Sequence, residues 1–465
     1  MHDYEPYPVE DCHSFLQFVS RVEELHGDKI AFLSDRGGIT YGEMVAAIYA
    51  VASRLNAMKE SRCHLSALNP YYYAVSFFAA VLAGKMALLC DKAHENIVQC
   101  GVDSVEVDDG FVREQLQRGE SKRKLVYNFE TDSPAIVALS SGTTGHTKGV
   151  MLSQHNVLSD MVAGMRHYEY APNSRYMHII PYTHMFGIVA DLLGPLYSGG
   201  TICCPSSPFS FFDDLKRFKP TVLNAPPAIV ESLLRVIRTS ADVASVTGGH
   251  LKKIMCAGAK VDDEVVLKLN DYGISVLTAY GLTECSPCVS LSRDLFWKRG
   301  SAGKVLDCCE VTIIDGEICV RGENVMIGYY GDEDATNEVL IDGLLRTGDL
   351  GYVDADGFLF VTGRKNDLLV FEDGKKIFLD EIEAIVCRVK GVMDSIARPE
   401  EHGAKAMFSV GYLPDDNADS AKIEALIKSA LSDEGILARL KELHQLDDAP
   451  ERTSLGKVRR IKTCV

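Results

Sequence analysis

The stretch Leu139-Ser140-Ser141-Gly142-Thr143-Thr144-Gly145-His146-Thr147-Lys148-Gly149 gathers small residues, hydroxyls and one cation into a single loop. Backbone N–H groups converge on an anion where side chains leave them room, and Ser and Thr hydroxyls add donors for phosphate-type oxygens. Lys148 supplies a positive charge to the same loop. The arrangement is not a Walker A motif, which requires glycine before its lysine, where this chain has Thr147. Four further clusters follow in order: Tyr280-Gly281-Leu282-Thr283-Glu284, Arg346-Thr347-Gly348-Asp349-Leu350, Gly363-Arg364, and Arg452-Thr453-Ser454-Leu455-Gly456-Lys457. They contribute an aromatic ring, two carboxylates and further cations, groups suited to holding and polarising a polyanion.

These residues must be positioned by regular elements. The loop follows the apolar run Ala135–Leu139 and precedes a helical stretch starting near Gln154. From about residue 13 to 363, amphipathic helical stretches alternate with short apolar strands, among them Met177–Ile180, Thr221–Asn224, Lys253–Cys256 and Ser275–Thr278. That alternation predicts an α/β fold with mainly parallel sheets and helices. Past residue 300, Val311–Ile314 and Glu317–Val320 flank Asp315-Gly316 and read as a hairpin, and Gly351–Thr362 reads as another turning at Asp356-Gly357. A small β subdomain is expected there. The polar stretch Gly363–Asp367 then precedes a compact α+β unit with a hairpin (Leu368–Phe371, Lys375–Phe378), a helix from about Asp380, two strands and a helix near Ala421–Leu431. Two domains are therefore expected, 1–365 and 366–465.

The 465-residue chain has 46% hydrophobic and 24% charged residues, an ordinary globular composition. Its net charge of -17 argues against wholesale binding to nucleic acid or to an anionic membrane surface. The acidic opening MHDYEPYPVED lacks the apolar core of a secretory signal. The run Ala74–Cys90 is broken at Gly84-Lys85 and falls short of the ~20 residues a membrane span needs; it reads as a buried helix, a glycine stop and a strand, Met86–Cys90. Fourteen cysteines without a regular frame read as reduced thiols of a cytoplasmic protein. The Cys285–Cys288 pair has no second pair or His ligands near it in sequence and reads as structural.

With the matches beginning at Ile39-Thr40-Tyr41-Gly42-Glu43 and ending at Lys457, the five ordered motifs resemble those of the adenylate-forming superfamily: acyl-CoA synthetases, adenylation domains and luciferases. The pattern is most similar to that of fatty acyl-CoA ligases. The resemblance implies a large N-terminal domain, a small mobile C-terminal domain, and activation of a carboxylic acid by MgATP to acyl-AMP and pyrophosphate, followed by acyl transfer to CoA or a carrier-protein phosphopantetheine. It places the phosphates on Ser141, Gly142, Thr143, Thr144, Gly145 and Lys148. Adenine stacks on Tyr280 opposite Gly258, Ala259 and Lys260, with Thr278, Ala279, Gly281 and Thr283 completing the nucleotide site. Asp349 receives the ribose hydroxyls and Arg364 accompanies it. Glu284, with Thr144, is the implied Mg²⁺ site, since Mg²⁺ is usually held by one or two carboxylates, phosphate oxygens and water. Lys457 bridges carboxylate and α-phosphate during adenylation.

Within Pro181-Tyr182-Thr183-His184-Met185-Phe186-Gly187, His184 is the implied neighbour of the acid's carboxylate. Amino-acid adenylating domains carry an Asp in this stretch, and its absence between Pro181 and Ile188 points to a fatty or aryl acid. Asn366 occupies the hinge, where relatives commonly have Asp or Lys, and Gly374 and Lys375 belong to the loop implied to enter the site for thiolation. Three departures stand out: Thr147 and Leu379 replace common prolines, and the segment 91–132 is shorter than usual, which bears on the thiol acceptor. The alternatives to a CoA ligase are a stand-alone enzyme loading an acyl-carrier protein and a nucleotide-binding homologue that no longer catalyses.

Overall fold

The computed structural model describes residues 8–89, 104–118, 130–140, 147–168, 170–207, 209–293, 297–402, 405–415, 419–452 and 458. Short apolar runs become the strands of two large sheets. The first runs, edge to edge, Lys304–Val305, Cys288–Leu291, Ser275–Gly281, Lys253–Cys256, Val222–Ala225, Arg175–Met177, Thr201–Cys203, Ile30–Ser34 and Gly37–Thr40. Its interior pairs are parallel, from Ser275–Gly281 across to Ile30–Ser34, and the outer strands on both sides are antiparallel. The second runs Gly328–Tyr329, Lys148–Ser153, Pro134–Ser140, Met86–Leu89, Arg62–Leu65 and Ser104–Val107, parallel from Pro134–Ser140 onward. The fold is thus α/β with mixed sheets.

Helix starts follow local chemistry. Thr40 accepts from the Glu43 N–H at 3.2 Å while the Glu43 carboxylate accepts from the Thr40 N–H at 2.8 Å, a reciprocal cap that opens Tyr41–Asn56. Asn69 caps Pro70–Leu82, whose first residue is a proline that needs no donor. This helix is buried over most of its length and packs Phe77 and Phe78 edge-on against Phe15 of Phe15–His26, with ring centroids 5.3 and 5.9 Å away.

A third sheet carries the expected hairpins: Cys309–Ile314 with Glu317–Gly322, and Leu344–Val353 with Leu359–Arg364. The last part of the chain has its own core of Leu379, Ile382, Val386, Phe408, Val410 and Ile427. It combines the hairpin Leu368–Val370 and Lys376–Phe378, helices Leu379–Cys387 and Ser420–Asp433, and a sheet of Val392–His402, Lys405–Pro414 and Leu440–Gln445, one strand more than expected.

One local expectation changes. The run Met177–Ile180 stops being a strand at Met177, because the Ile179 and Ile180 N–H groups donate to the Asp191 carboxylate instead of to a neighbouring strand. The helix expected from near Gln154 is Gln154–His167, and between it and the Gly/Ser/Thr-rich segment Lys148–Ser153 folds back antiparallel on Pro134–Ser140, pairing Ser140 with Lys148.

Because Phe15 is fully buried and joins two helices, Phe15→Ala is expected to destabilise the protein by about 3–5 kcal/mol in denaturant unfolding. A loss under about 1 kcal/mol would contradict this packing.

Candidate active site

Residues from three elements meet at the end of strand Ser275–Gly281. The Tyr280 hydroxyl donates to Asp349 Oδ2 at 2.7 Å, and Arg364 Nε lies 2.7 Å from Asp349 Oδ1. Asp349 and Arg364 are direct partners across Leu344–Val353 and Leu359–Arg364, so pairing register delivers the guanidinium to the carboxylate. Burial, then the Asp349 charge, push the Tyr280 hydroxyl well above its usual range, which keeps it a proton donor. Gly281 must be glycine here: a Cβ would stand 1.8 Å from the Pro287 carbonyl oxygen.

Buried Glu317 braces the same strand. Its Oε1 accepts from the Gly348 N–H at 3.1 Å, and its Oε2 meets Arg346 Nη2 at 3.1 Å and Lys365 Nζ at 3.2 Å. Thr347 Oγ1 donates to the Ile318 carbonyl at 2.7 Å and accepts from the Asp349 N–H at 3.1 Å. The polar motif 346–349 is thereby fixed on both sides.

A short turn, Thr283–Cys285, presents Glu284, whose Oε1 accepts from the Tyr329 hydroxyl at 2.9 Å. Lys148 Nζ sits 4.6 Å from the centroid of the Tyr329 ring, a cation–π distance. Tyr329 belongs to Gly328–Tyr329, paired with Lys148–Ser153, so one edge strand organises both the cation after the glycine-rich loop and the carboxylate. Burial, reinforced by Glu284, raises the Tyr329 hydroxyl above its usual range.

A cavity of about 560 Å³ joins these groups to an apolar chamber walled by Met161, Phe186, Val189, Met255 and Leu291. His184 lines it from a tight turn in which the His184 N–H donates to the Pro181 carbonyl at 3.0 Å. The following helix, Gly187–Leu193, is of the wide π type, and a Cβ on Gly187 would lie 2.5 Å from that same carbonyl. Such wide turns recur at functional sites. Asp191, at the far end of this helix, is occupied structurally: it accepts from Ile179 and Ile180 N–H and from Asn224 Nδ2 at 2.7 Å, and burial pushes its carboxyl up to about 7.

Of the residues expected at a site, Lys148, His184, Gly258, Ala279, Tyr280, Gly281, Thr283, Glu284, Arg364 and Asn366 line this cavity, and Asp349 adjoins it through Tyr280 and Arg364. Ala259 and Lys260 share the turn of Gly258 without lining the cavity, and Lys260 is exposed. Thr278 faces structure instead, donating to the Ser301 carbonyl at 3.0 Å. The Lys375 ammonium donates to the Glu434 carbonyl, within the last part of the chain, and Gly374 takes φ +81° in the adjoining turn. Ser141, Gly142, Thr143, Thr144, Gly145 and Lys457 lie outside the described residues.

Several lining or bracing residues were not among those expected at a site: Glu317, Tyr329, Lys365, Tyr170, Cys288 and Asp160. Asp160 had a readable signal, an acid four residues after Asn156 and next to Met161 on the buried face of Gln154–His167.

The family model described as AMP-binding enzyme matches residues 87–330, just over half of the chain. A sulfoacetate–CoA ligase from Cupriavidus necator is 32% identical over 349 residues, covering 72% of this chain and 67% of that protein. The 4-coumarate–CoA ligase-like 3 of Arabidopsis thaliana is 27% identical over 449 residues, covering 90% and 78%. Among solved structures, O-succinylbenzoate coenzyme A synthetase from Bacillus subtilis, in complex with AMP, superposes with a TM-score of 0.81 at 22% identity, covering 96% of this chain and 98% of that one.

Asp349→Ala removes a carboxylate acceptor of charge-assisted type, worth ~1.5–3 kcal/mol. AMP binding measured by calorimetry is expected to weaken ~10–100-fold, and an unchanged affinity would contradict the nucleotide role of this cluster.

Proposed function

The chain belongs to the AMP-binding enzyme family, and from that premise we propose that it is an acid–thiol ligase. In this reading a carboxylic acid and MgATP give acyl-AMP and pyrophosphate, and the acyl group then passes to the thiol of CoA. The observation that carries the reading is the Asp349 carboxylate, held by Tyr280 and Arg364 beside a cavity that continues into an apolar chamber past His184. In this reading a nucleotide subsite and an acid subsite share one space.

Chemically, the acid's carboxylate oxygen attacks the α-phosphorus and pyrophosphate leaves. The resulting mixed anhydride is attacked at its carbonyl carbon by the thiol, the thiol proton is lost, and AMP departs. Such steps depend on positioning and on charge placed where it develops. We assign Tyr280 to the adenine and Asp349 to the ribose hydroxyls, with Arg364 and the Tyr280 hydroxyl fixing Asp349. Ser141 to Gly145 and Lys148 receive the phosphates, Lys457 bridges carboxylate and α-phosphate, and His184 orients the carboxylate.

Among the described residues no group of three His, Cys, Asp or Glu side chains is placed to hold a metal ion. That fits Mg²⁺, which needs one or two carboxylates and takes its other ligands from phosphates and water; Glu284 with Thr144 would hold it. Bound there, it would neutralise phosphate charge. The Tyr329 hydroxyl orients Glu284 for that task.

Residues 366–465 are proposed to turn about Asn366 between the half-reactions, bringing Gly374 and Lys375 to the thiol path in place of Lys457. Asn366 lines the cavity, which supports a pivot at its edge. The apolar walls favour a fatty or aryl acid. No helix among the described residues is long and apolar enough to cross a membrane.

The test is pyrophosphate release from MgATP against a panel of fatty and aryl acids, with CoA and a phosphopantetheinylated carrier protein offered separately. Release with thioester formed on CoA is expected; thioester on the carrier alone would reassign the acceptor. No release with any acid, despite AMP binding, would leave a non-catalytic nucleotide binder. In the same assay Lys457→Ala is expected to lower adenylation ~100–1,000-fold while leaving ATP binding largely intact. Near-normal acyl-AMP formation by that variant would remove Lys457 from the mechanism.

A further inference from the structure

The wall of the apolar chamber contains a carboxyl group that the ligase reaction does not use. Asp160, on Gln154–His167, is fully buried and lines the cavity. Its Oδ1 accepts from the Cys288 N–H at 3.1 Å and from Asn324 Nδ2 at 3.3 Å. Its Oδ2 has no hydrogen-bond partner among the described residues, and no Lys or Arg there forms an ion pair with Asp160. Asn324 is also fully buried, and its amide orientation is set by Nδ2 donating to the Cys288 carbonyl at 2.7 Å. Asn324 Oδ1 is then left without a partner as well. Buried polar atoms in folded proteins are nearly always paired, so two orphans on one hydrogen-bonded pair call for an occupant.

The charge state narrows what that occupant is. Burial holds the Asp160 carboxyl well above the usual carboxylate range, and the two donors that lower it are both neutral. With Oδ1 accepting twice, the proton belongs on Oδ2, which makes that atom a donor. A hydroxyl group accepts from such a donor and is uncharged, so it can satisfy Oδ2 without placing an ion in the apolar chamber.

Building on the ligase reading, we propose that the acid this enzyme activates carries a hydroxyl on the part that fills the apolar chamber, and that Asp160 is the residue that selects it. The carboxylate end must lie beside Tyr280, Glu284 and Arg364 to be adenylated. Asp160 lines the cavity from Gln154–His167, the helix that also supplies the Met161 wall of the chamber, so a group that reaches it belongs to the rest of the acid. Asp191 cannot serve instead, because its oxygens already accept from Ile179, Ile180 and Asn224.

The experiment compares kcat/KM for pyrophosphate release within pairs of acids: para-hydroxyphenylpropanoate against phenylpropanoate, and hydroxy-terminated against plain decanoate. The wild type is expected to favour the hydroxy member of at least one pair by ~10-fold or more, because a site built to bond a hydroxyl leaves its own polar atoms unpaired against the plain analogue. Asp160→Leu is expected to abolish or reverse that preference while AMP binding is kept. Asp160→Asn, whose amide oxygen still accepts from Cys288 and Asn324 and whose amide nitrogen donates into the chamber, is expected to retain it. A wild type that turns over both pairs with less than twofold preference overturns the inference without any variant, as does a preference that survives Asp160→Leu or an amino-terminated acid that outcompetes the hydroxy acid. Pyrophosphate release with none of the panel is a different failure, that of the ligase reading itself.

Discussion

The site turns on how one buried carboxylate, Asp349, is held. Its two oxygens are engaged by a phenol from the end of the large sheet and by a guanidinium from the neighbouring strand of the small β sheet. A buried carboxylate without such partners would be costly to keep charged. Satisfying Asp349 therefore fixes the distance between two sheets with no sequence adjacency, and the cavity is the space left between them. Glu317 does the same one layer out, drawing together Arg346, Gly348 and Lys365 and so pinning the chain where it leaves for its last hundred residues.

Close backbone approach is the second constraint. Gly281 lets the strand carrying Tyr280 pass the Pro287 carbonyl, and Gly187 lets the His184 turn close on Pro181. Either Cβ would push a proposed functional side chain off its position. The wide helix after Gly187 then spends Asp191 on the orphaned N–H groups of Ile179 and Ile180, ending a strand at Met177. Both Asp191 oxygens are thus consumed structurally, whereas Asp160 Oδ2 is left without a hydrogen-bond partner among the described residues.

Much of this was legible in the sequence, because the motif residues combine local backbone demands with chemistry. The Asp315-Gly316 and Asp356-Gly357 turns read from spacing and residue type, and the Tyr280–Glu284 and Arg346–Asp349 clusters, noted for their chemistry, meet at one cavity. What sequence could not give was partnership across long separations. Tyr329 reaches Glu284 through an edge strand that pairs with Lys148–Ser153, and Glu317 meets Lys365 only after the hairpins fold. The strand ending at Met177 failed for the same reason, since a distant carboxylate captured the N–H groups that an apolar run would offer to a sheet. Helical spacing could place Asp160 on a buried face, but its unpaired oxygen emerged only from the packed structure.

The central claim is that activation proceeds by attack of the acid's own oxygen on the α-phosphorus. Its most direct measurement uses a substrate acid labelled with oxygen-18 in the carboxylate, followed by mass analysis of the products after thioester formation. The account predicts one labelled oxygen in the phosphate of AMP and none in pyrophosphate. Unlabelled AMP, or label released in inorganic phosphate, would show that no acyl-adenylate forms and would contradict it.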